Sequence, residues 1–134
     1  MAQNREMVLF YAPDPADPAV LRAKGVFFRM KIRLRMLSPD QLHQTVGHLA
    51  GLEGCPAREA PDPRPIVEHP VLVLCGFSAS RLDALLKNLR QAQAVFPYKA
   101  VLTASNRDWP LCDLYLELVE EHRQMSGQAP GPEE

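Results

Sequence analysis

The fold is decided by Val71-Leu72-Val73-Leu74-Cys75-Gly76-Phe77, a continuous apolar run that ends at a glycine. A leucine-patterned segment follows it, and then comes a second apolar run, Ala100-Val101-Leu102-Thr103. Leucines at helical spacing between two apolar runs are typical of two parallel strands joined by a crossover helix. A last helix is predicted to begin near Trp109-Pro110 and to end at Met125.

The same alternation continues towards the amino terminus. Met7-Val8-Leu9-Phe10-Tyr11 is predicted to be the first strand, and Asp17-Pro18 to start a short helix, since the carboxylate caps the helix and proline suits its first position. Lys31-Ile32-Arg33-Leu34-Arg35-Met36 alternates charge and hydrophobe, which predicts an edge strand. Ser38-Pro39-Asp40-Gln41 is a helix-start signal, and we expect that helix to stop at Gly51.

These elements predict a single three-layer α/β domain. Its order is β-α-β-α-β-α-β-α, with a small, mostly parallel four-stranded sheet and helices on both faces. The alternative is a ferredoxin-like split βαβ sandwich with an inserted helix. The domain is expected to span residues 1–125, with a Pro-rich connection at 53–70 inside it, and residues 126–134 are expected to form a disordered tail.

Composition is that of an ordinary soluble protein. The chain has 134 residues, a formal net charge of −1 and 46% hydrophobic residues, so no global charge attracts nucleic acid or anionic lipid. The apolar runs are too short to cross a bilayer, and the first residues lack the pattern of a secretory signal. Three cysteines without a Cys-x-x-Cys pair favour a reducing environment. We therefore expect a cytoplasmic protein with no membrane contact.

Basic residues concentrate in one window of the chain. They are Arg22, Lys24, Arg29, Lys31, Arg33 and Arg35. A patch of this kind can bind an acidic partner or RNA. No aromatic residues interleave with these bases on one face, so nucleic acid is not the expected partner. We interpret the segment Arg29–Arg35 as the solvated face of an edge strand.

If the strands are parallel, the polar residues that follow them meet at one edge of the sheet. Those residues are Asp14, Ser38, Gly76, Ser78, Thr103, Ser105 and Asn106. Small hydroxyl and amide groups beside helix starts can bind an anion, although the same residue types are the ordinary caps of helices. The candidates for binding a ligand or partner are Ser78, Thr103, Ser105, Asn106 and Trp109. Trp109 either covers a ligand pocket or binds a partner, or it anchors the start of the last helix to the core, and we favour this last interpretation.

Cys75 is the candidate catalytic nucleophile, because it ends a strand and precedes a helix start, which can lower a thiol pKa. The alternative, which we favour, is a buried cysteine that acts as a small hydrophobe. Cys112 is interpreted in the same way, and Cys55 is expected to be exposed. The four histidines, His43, His48, His69 and His122, lack the spacing of metal ligands, so no metal and no cofactor is expected.

Several segments together resemble a known family. They are Leu74-Cys75-Gly76-Phe77, Lys99 to Thr103, Asn106, Trp109, Leu114 to His122, Met7 to Tyr11, and Gln44 to Gly51. The chain resembles, over most of its length, a family of small bacterial proteins catalogued as a conserved domain of unknown function. The resemblance implies membership and no activity, because that family has no established catalytic residue, cofactor or partner.

The function that we predict is a non-catalytic binding or regulatory module of the bacterial cytoplasm, which holds a small ligand or a protein. The alternative is a small enzyme that uses Cys75 or the Ser/Thr/Asn edge. A homodimer through a strand edge or the last helix is a third hypothesis. We prefer the first, because no general base is identified for any candidate nucleophile.

Overall fold

The computed structural model describes residues 6–128, which form one four-stranded sheet flanked by helices. The elements are β1 (Met7–Tyr11), α1 (Pro18–Arg29), β2 (Arg33–Leu37), α2 (Val46–Leu49), β3 (Val71–Cys75), α3 (Ala79–Gln91), β4 (Lys99–Val101) and α4 (Leu111–Gln128). Across the sheet the strand order is β2-β1-β3-β4. The α/β class and the alternating element order are therefore as predicted.

The sheet is mixed, with one antiparallel pair at its centre. β1 is parallel to β2 and β3 is parallel to β4, whereas β1 and β3 are antiparallel. The prediction of a mostly parallel sheet is confirmed, since two of its three strand pairs are parallel. The long connection between β2 and β3 explains the exception. It is mostly irregular chain and not a single crossover helix, so β3 enters beside β1 from the opposite direction.

Two apolar layers cover the two faces of the sheet, because successive side chains of a strand point to opposite sides. Val8 and Phe10 of β1 face α1 and α3, while Leu9 and Tyr11 face α2 and α4. On the first face the Phe10 ring packs edge-on against Phe27 and Phe96. The result is a three-layer arrangement with helices on both sides of the sheet, as expected.

The interior and edge strands have the burial that their sequences predict. β3 is buried at all five positions and lies inside the sheet, which explains its continuous apolar run. β2 is an edge strand with Arg33 and Arg35 exposed. Leu34 and Met36, the alternate side chains of β2, pack on the layer that α1 forms. Charged residues on this edge oppose pairing with another sheet.

One end of the sheet is fastened by an ion pair. Arg81, in the first turn of α3, donates to both carboxylate oxygens of Glu6, at 2.6 and 2.7 Å. The same guanidinium donates to the carbonyl of Met30 at 2.9 Å, just beyond the end of α1. Three elements that are far apart in sequence are therefore joined by a single side chain.

The helix predicted from Ser38 to Gly51 is wrong, because it is broken in the middle. Residues Pro39–Gln41 form a 3-10 turn, and α2 begins only at Val46, with Thr45 as its cap. The carbonyls of Leu42 and Gln44 accept from the backbone N–H groups of Cys112 and Leu111. Tertiary hydrogen bonds to another part of the chain have replaced the intrahelical ones.

The last helix continues beyond its predicted end. α4 extends through residues 126–128, where the sequence analysis places the start of a disordered tail, and residues 129–134 lie outside the described part of the chain. Within residues 6–128, no helix combines the length and the apolar character needed to cross a bilayer.

Candidate functional site

The residues predicted to share one edge of the sheet lie at two opposite ends of it, which corrects that prediction. Tyr11 pairs with Val71 and Met7 pairs with Cys75, so β1 and β3 run in opposite directions. One end carries Asp14 and Ser38, which follow β1 and β2. The other end carries the residues after β3 and β4, which are Gly76, Ser78, Thr103, Ser105 and Asn106. Ser78, Thr103, Ser105 and Asn106, the residues named as candidates for ligand binding, are thus at this second end, whereas Ser38 is not.

Three of these candidates are occupied by local hydrogen bonds. Ser78 Oγ accepts from the backbone N–H of Arg81 and caps α3. Asn106 Oδ1 accepts from the N–H of Thr103, while Thr103 Oγ1 accepts from the N–H of Asn106. Asn106 also donates to the carbonyl of Val101 at 3.0 Å. These side chains build the turn after β4, and Ser105 lies exposed within that turn.

A cavity of about 440 Å³ opens at this end of the sheet. Its lining consists of Met7, Arg33, Ala50, Leu52, Cys75, Gly76 and Leu102. The walls come from the starts of β1 and β2, the chain after α2, and the ends of β3 and β4. A concave, mostly apolar lining with few polar groups is the usual form of a small-molecule site.

Arg33 is the charged residue of this lining, and its neighbour Arg35 positions the adjacent wall. Alternate residues of a strand share a face, so the side chains of Arg33 and Arg35 lie on the same face of β2 as that of Leu37. Leu37 packs in the core that α2 and α4 cover. Arg35 Nη1 donates to the carbonyl of Leu49 at 2.7 Å, at the end of α2. This bond fixes the chain that carries Ala50 at the rim of the cavity, and Arg33 is part of the lining beside it.

Cys75 contributes an apolar wall to the cavity and is 5% exposed. Its Sγ contacts the carbonyl of Val73 at 3.8 Å, and burial raises the pKa of the thiol to about 11. A thiol with this pKa is protonated near neutral pH. Because only the thiolate is nucleophilic, the protonated thiol is unreactive. The position at a strand end, which made Cys75 the candidate nucleophile, does not activate it here.

The chain that carries Ala50 and Leu52 follows a junction between two segments that are distant in sequence. The N–H of Val46 donates to the carbonyl of Trp109, and the N–H of Gly47 donates to the carbonyl of Arg107. Gln44 reaches in the other direction and makes two hydrogen bonds to the backbone of Arg58, at 2.8 and 3.1 Å. Sequence reasoning missed this junction, although Gln44 to Gly51, Asn106 and Trp109 all belong to the segments that resemble a known family.

Cys55 lies inside this junction and is 8% exposed, so the expectation of an exposed thiol is wrong. Arg107 Nη2 donates to Cys55 Sγ at 3.2 Å and to the carbonyl of Glu53 at 2.6 Å. The hydrogen bond to Cys55 is also the main cause that raises the pKa of Arg107. His48 Nδ1 lies 3.0 Å from the carbonyl of Cys55 and completes the attachment of the Pro-rich connection.

Trp109 holds the last helix through its backbone. Its carbonyl accepts from Val46, and its N–H donates to the carbonyl of Asn106 at 3.1 Å. Trp109 as a whole is 39% exposed. The main chain of Trp109 makes these hydrogen bonds, whereas anchoring of the last helix to the core by its ring stays a prediction.

The remaining cysteine and the histidines are dispersed. Cys112 is partly buried beside Asp113, and the pKa of its thiol is raised, mainly by burial. His69 Nδ1 contacts the hydroxyl of Tyr115 at 2.8 Å, away from the cavity. Among residues 6–128, no three His, Cys, Asp or Glu side chains are close enough to share a metal ion.

Two smaller depressions lie beside β4, on the side of α3. Their volumes are about 280 and 190 Å³, and both include Lys99 and Leu86. Both are lined mainly by apolar side chains of α3 and of the chain at β4, whereas the cavity at the strand ends is larger and has a cationic residue, Arg33, in an otherwise uncharged lining. We therefore take the cavity beside Arg33 and Cys75 as the candidate functional site.

No curated protein and no solved structure matches this chain. The resemblance to a family without an assigned function is confirmed for one part of the chain, which begins just before β3 and includes most of α4. The segments near Met7 and Gln44 lie outside that part. Residues 70–125 match the family model described as Domain of unknown function (DUF3783).

Proposed function

We propose that this protein is a non-catalytic binding module for a small molecule with an apolar body and one anionic group. The cavity beside Arg33 is the observation that carries the proposal. Its volume of about 440 Å³ lies within the range of small-molecule sites, and its walls are mainly apolar. A guanidinium at the rim favours a carboxylate or a phosphate monoester, because charge-assisted hydrogen bonds to such groups are strong.

A binding role is supported over catalysis by the state of the titratable groups around the cavity. The thiol of Cys75 is protonated near neutral pH, since burial raises its pKa to about 11. The oxygens of Ser78, Thr103 and Asn106 already accept hydrogen bonds from the backbone. Catalysis at this cavity would need a nucleophile with a base within reach.

The cellular setting that we propose is the cytoplasm. All three cysteines, Cys55, Cys75 and Cys112, are free thiols, which fits a reducing environment. In that setting the protein would respond to the concentration of a soluble anionic metabolite.

The test uses three eight-carbon probes that differ only in the head group: octanoate, octanol and octylammonium. Isothermal titration calorimetry is expected to give the tightest binding for octanoate, weaker binding for octanol and the weakest for octylammonium. Arg33→Gln is expected to weaken octanoate binding ten- to a hundredfold, the usual contribution of about 1.5–3 kcal/mol for a hydrogen bond to a charged group. Octanol binding should be unchanged in this variant.

Two further variants make the test specific. Ala50→Phe fills the cavity and is expected to abolish binding of both octanoate and octanol. Lys87→Gln removes an exposed positive charge from α3, away from the cavity, and is expected to leave all three affinities unchanged. Equal losses in Arg33→Gln and Lys87→Gln, or full binding in Ala50→Phe, would refute the proposal.

A further inference from the structure

Helix α1 presents an apolar stripe to the solvent, on the side opposite to its buried face. Leu21 is 54% exposed and Phe28 is 85% exposed, while Val20, Ala23, Val26 and Phe27 fill the core. Leu21 and Phe28 are seven residues apart, so they lie on one face of the helix. Large apolar side chains exposed in register on one helix face indicate a contact surface.

The stripe has the shape of a receptor for a side chain from another helix. Leu21, Lys24, Gly25 and Phe28 are spaced as i, i+3, i+4 and i+7, the four positions that form the hole in knobs-into-holes packing. Gly25 contributes no side chain, and a Cβ built there meets only Arg29 Nη1, at 3.6 Å. The space above Gly25 is therefore bordered only by the flexible end of the Arg29 side chain, which a side chain of a partner would displace.

The charges around the stripe have one sign. Helix α1 carries Arg22, Lys24 and Arg29 and has no acidic residue within Pro18–Arg29. Arg22 and Arg29 lie on one side of the stripe and Lys24 lies on the other. A partner for this face needs an exposed apolar side chain surrounded by carboxylates.

Helix α4 of this same chain has that complementary pattern. Leu116 is 61% exposed, and helical spacing places Asp113, Glu117 and Glu120 around it. Within Leu111–Gln128 there are four acidic residues and one arginine. Leu116 is thus an exposed apolar side chain surrounded by acidic residues, and Gly25 is the floor of a hole surrounded by basic residues.

The two helices lie in different layers and face away from each other. The buried side of α1 belongs to the core on one face of the sheet, and that of α4 to the core on the other face. Their outward surfaces therefore point in opposite directions, so the two faces are unable to meet within one molecule. Contact between like faces is also disfavoured, since two α1 helices would bring together residues of the same charge.

We propose that copies of this chain associate head to tail, with Leu116 of α4 in one copy seated on the Leu21–Gly25–Phe28 face of α1 in the next. Such a contact is heterologous, because it joins two different surfaces. Its growth continues with concentration unless the rotation between copies closes a ring. Asp113 and Glu117 of one copy face Arg22, Lys24 and Arg29 of the other. Glu120 already forms an ion pair with Arg123 on α4.

Sedimentation velocity of the full chain, over a range of protein concentration and at low and high salt, is the first test. The average mass is expected to rise with concentration at low salt and to fall towards that of the monomer at high salt, because exposed charges are screened. Phe28→Ser and Leu116→Ser are expected to reduce association at least tenfold. Both side chains are exposed, so circular dichroism should report an unchanged fold.

A charge-reversal experiment distinguishes this contact from non-specific association. One variant carries Lys24→Glu and Arg29→Glu, and a second carries Glu117→Lys and Glu120→Lys. Each variant alone is expected to stay monomeric, because its α1 and α4 faces carry the same charge. An equimolar mixture is expected to associate, because the acidic α1 face of the first variant meets the basic α4 face of the second, and the native α1 face of the second meets the native α4 face of the first.

Val101→Ser is the matched control, since Val101 is 44% exposed on the β4 edge and is remote from both helix faces. It is expected to associate like the wild type. Three results would overturn the proposal: a monomer at every concentration, a mixture that fails to associate, or association that depends on Val101 and not on Phe28. The last result would place the contact at the β4 edge. An acidic partner protein would remain the explanation of the α1 surface if the chain itself stays monomeric.

Discussion

Gly47 lies where three segments of the chain meet, and the space around it leaves no room for a side chain. A Cβ built at Gly47 would lie 2.5 Å from Cys55 Sγ and 2.9 Å from the carbonyl oxygen of Arg107. Its N–H also donates to that carbonyl at 2.8 Å. The absence of a side chain is thus what lets α2, the Pro-rich connection and the turn after β4 pack together.

Gly47→Ala is expected to lower the free energy of unfolding by about 1–3 kcal/mol, the usual cost of overpacking. Gly25→Ala is the matched control, since it also adds a methyl group to a helix but meets only Arg29 Nη1, at 3.6 Å. It should raise the free energy of unfolding by about 0.5–1 kcal/mol through helix propensity. Urea unfolding of both variants measures the difference. Equal effects in the two variants would show that Gly47 is not sterically required.

Cys75 gives a prediction about alkaline pH. Burial raises the pKa of its thiol from 9.0 to about 11, so the unfolded chain ionises this group before the folded chain does. The contribution to stability is complete below pH 9 and is lost as the pH rises through 11. At 1.36 kcal/mol per pKa unit, the loss is about 2–3 kcal/mol.

Free energies of unfolding measured between pH 8 and 11 check this expectation. The wild type should lose about 2–3 kcal/mol more over that range than Cys75→Val, which has no titrating thiol. Curves that run parallel for the two proteins would mean that Cys75 titrates at an ordinary pKa. Other ionising groups affect both proteins alike, so the difference isolates Cys75.

At the scale of elements, the turn between β4 and α4 is held mainly by one amide. Asn106 accepts from the N–H of Thr103, donates to the carbonyl of Val101, and accepts through its own carbonyl from the N–H of Trp109. The carbonyls of Arg107 and Trp109 in the same turn then bind α2. The conformation of one turn therefore positions two helices.

Asn106→Ala is expected to destabilise the protein by about 1–3 kcal/mol, since it removes two side-chain hydrogen bonds that each contribute about 0.5–1.5 kcal/mol. Ser105→Ala, in the same turn but exposed, should change stability by less than about 0.5 kcal/mol. Thermal unfolding followed by circular dichroism measures both. If Asn106→Ala melts like the wild type and loses octanoate binding, the amide acts on a ligand and not on the turn.

The helices that were predicted well are those whose first residue and buried positions can be recognised from neighbouring residues in the sequence. Asp17 caps α1, with its carboxylate accepting from the N–H of Ala19, and Ser78 caps α3. The start signal of the helix predicted from Ser38 is present in the structure. The prediction failed because tertiary hydrogen bonds replace the helical ones in the middle of that segment. Gln41 does reach back to the N–H of Ser38 at 2.9 Å. Beyond it, the backbone binds residues 111 and 112, and no local signal reports so distant a partner.

At the scale of the whole molecule, periodicity identified the strands but not their direction. An apolar run such as β3 reads the same whether its neighbour is parallel or antiparallel. The antiparallel pairing of β1 with β3 therefore stayed invisible, and with it the separation of the polar residues into two ends. Of the candidate site, the sequence identified Cys75 and Gly76. The wall formed by Ala50 and Leu52 depends on tertiary contacts, and the role of Arg33 was hidden within a charged edge strand.

The opposed directions of β1 and β3 have an electrostatic consequence. Each crossover helix returns along its own strand, so α1 and α3, which share a layer, run with opposed axes. The positive end of one peptide macrodipole therefore lies beside the negative end of the other, and their far fields largely cancel. In a fully parallel sheet both positive ends would point towards the same ligand. Here the anion that we propose as the ligand would be held by Arg33 alone among the residues that line the cavity, and a single codon change can remove that guanidinium.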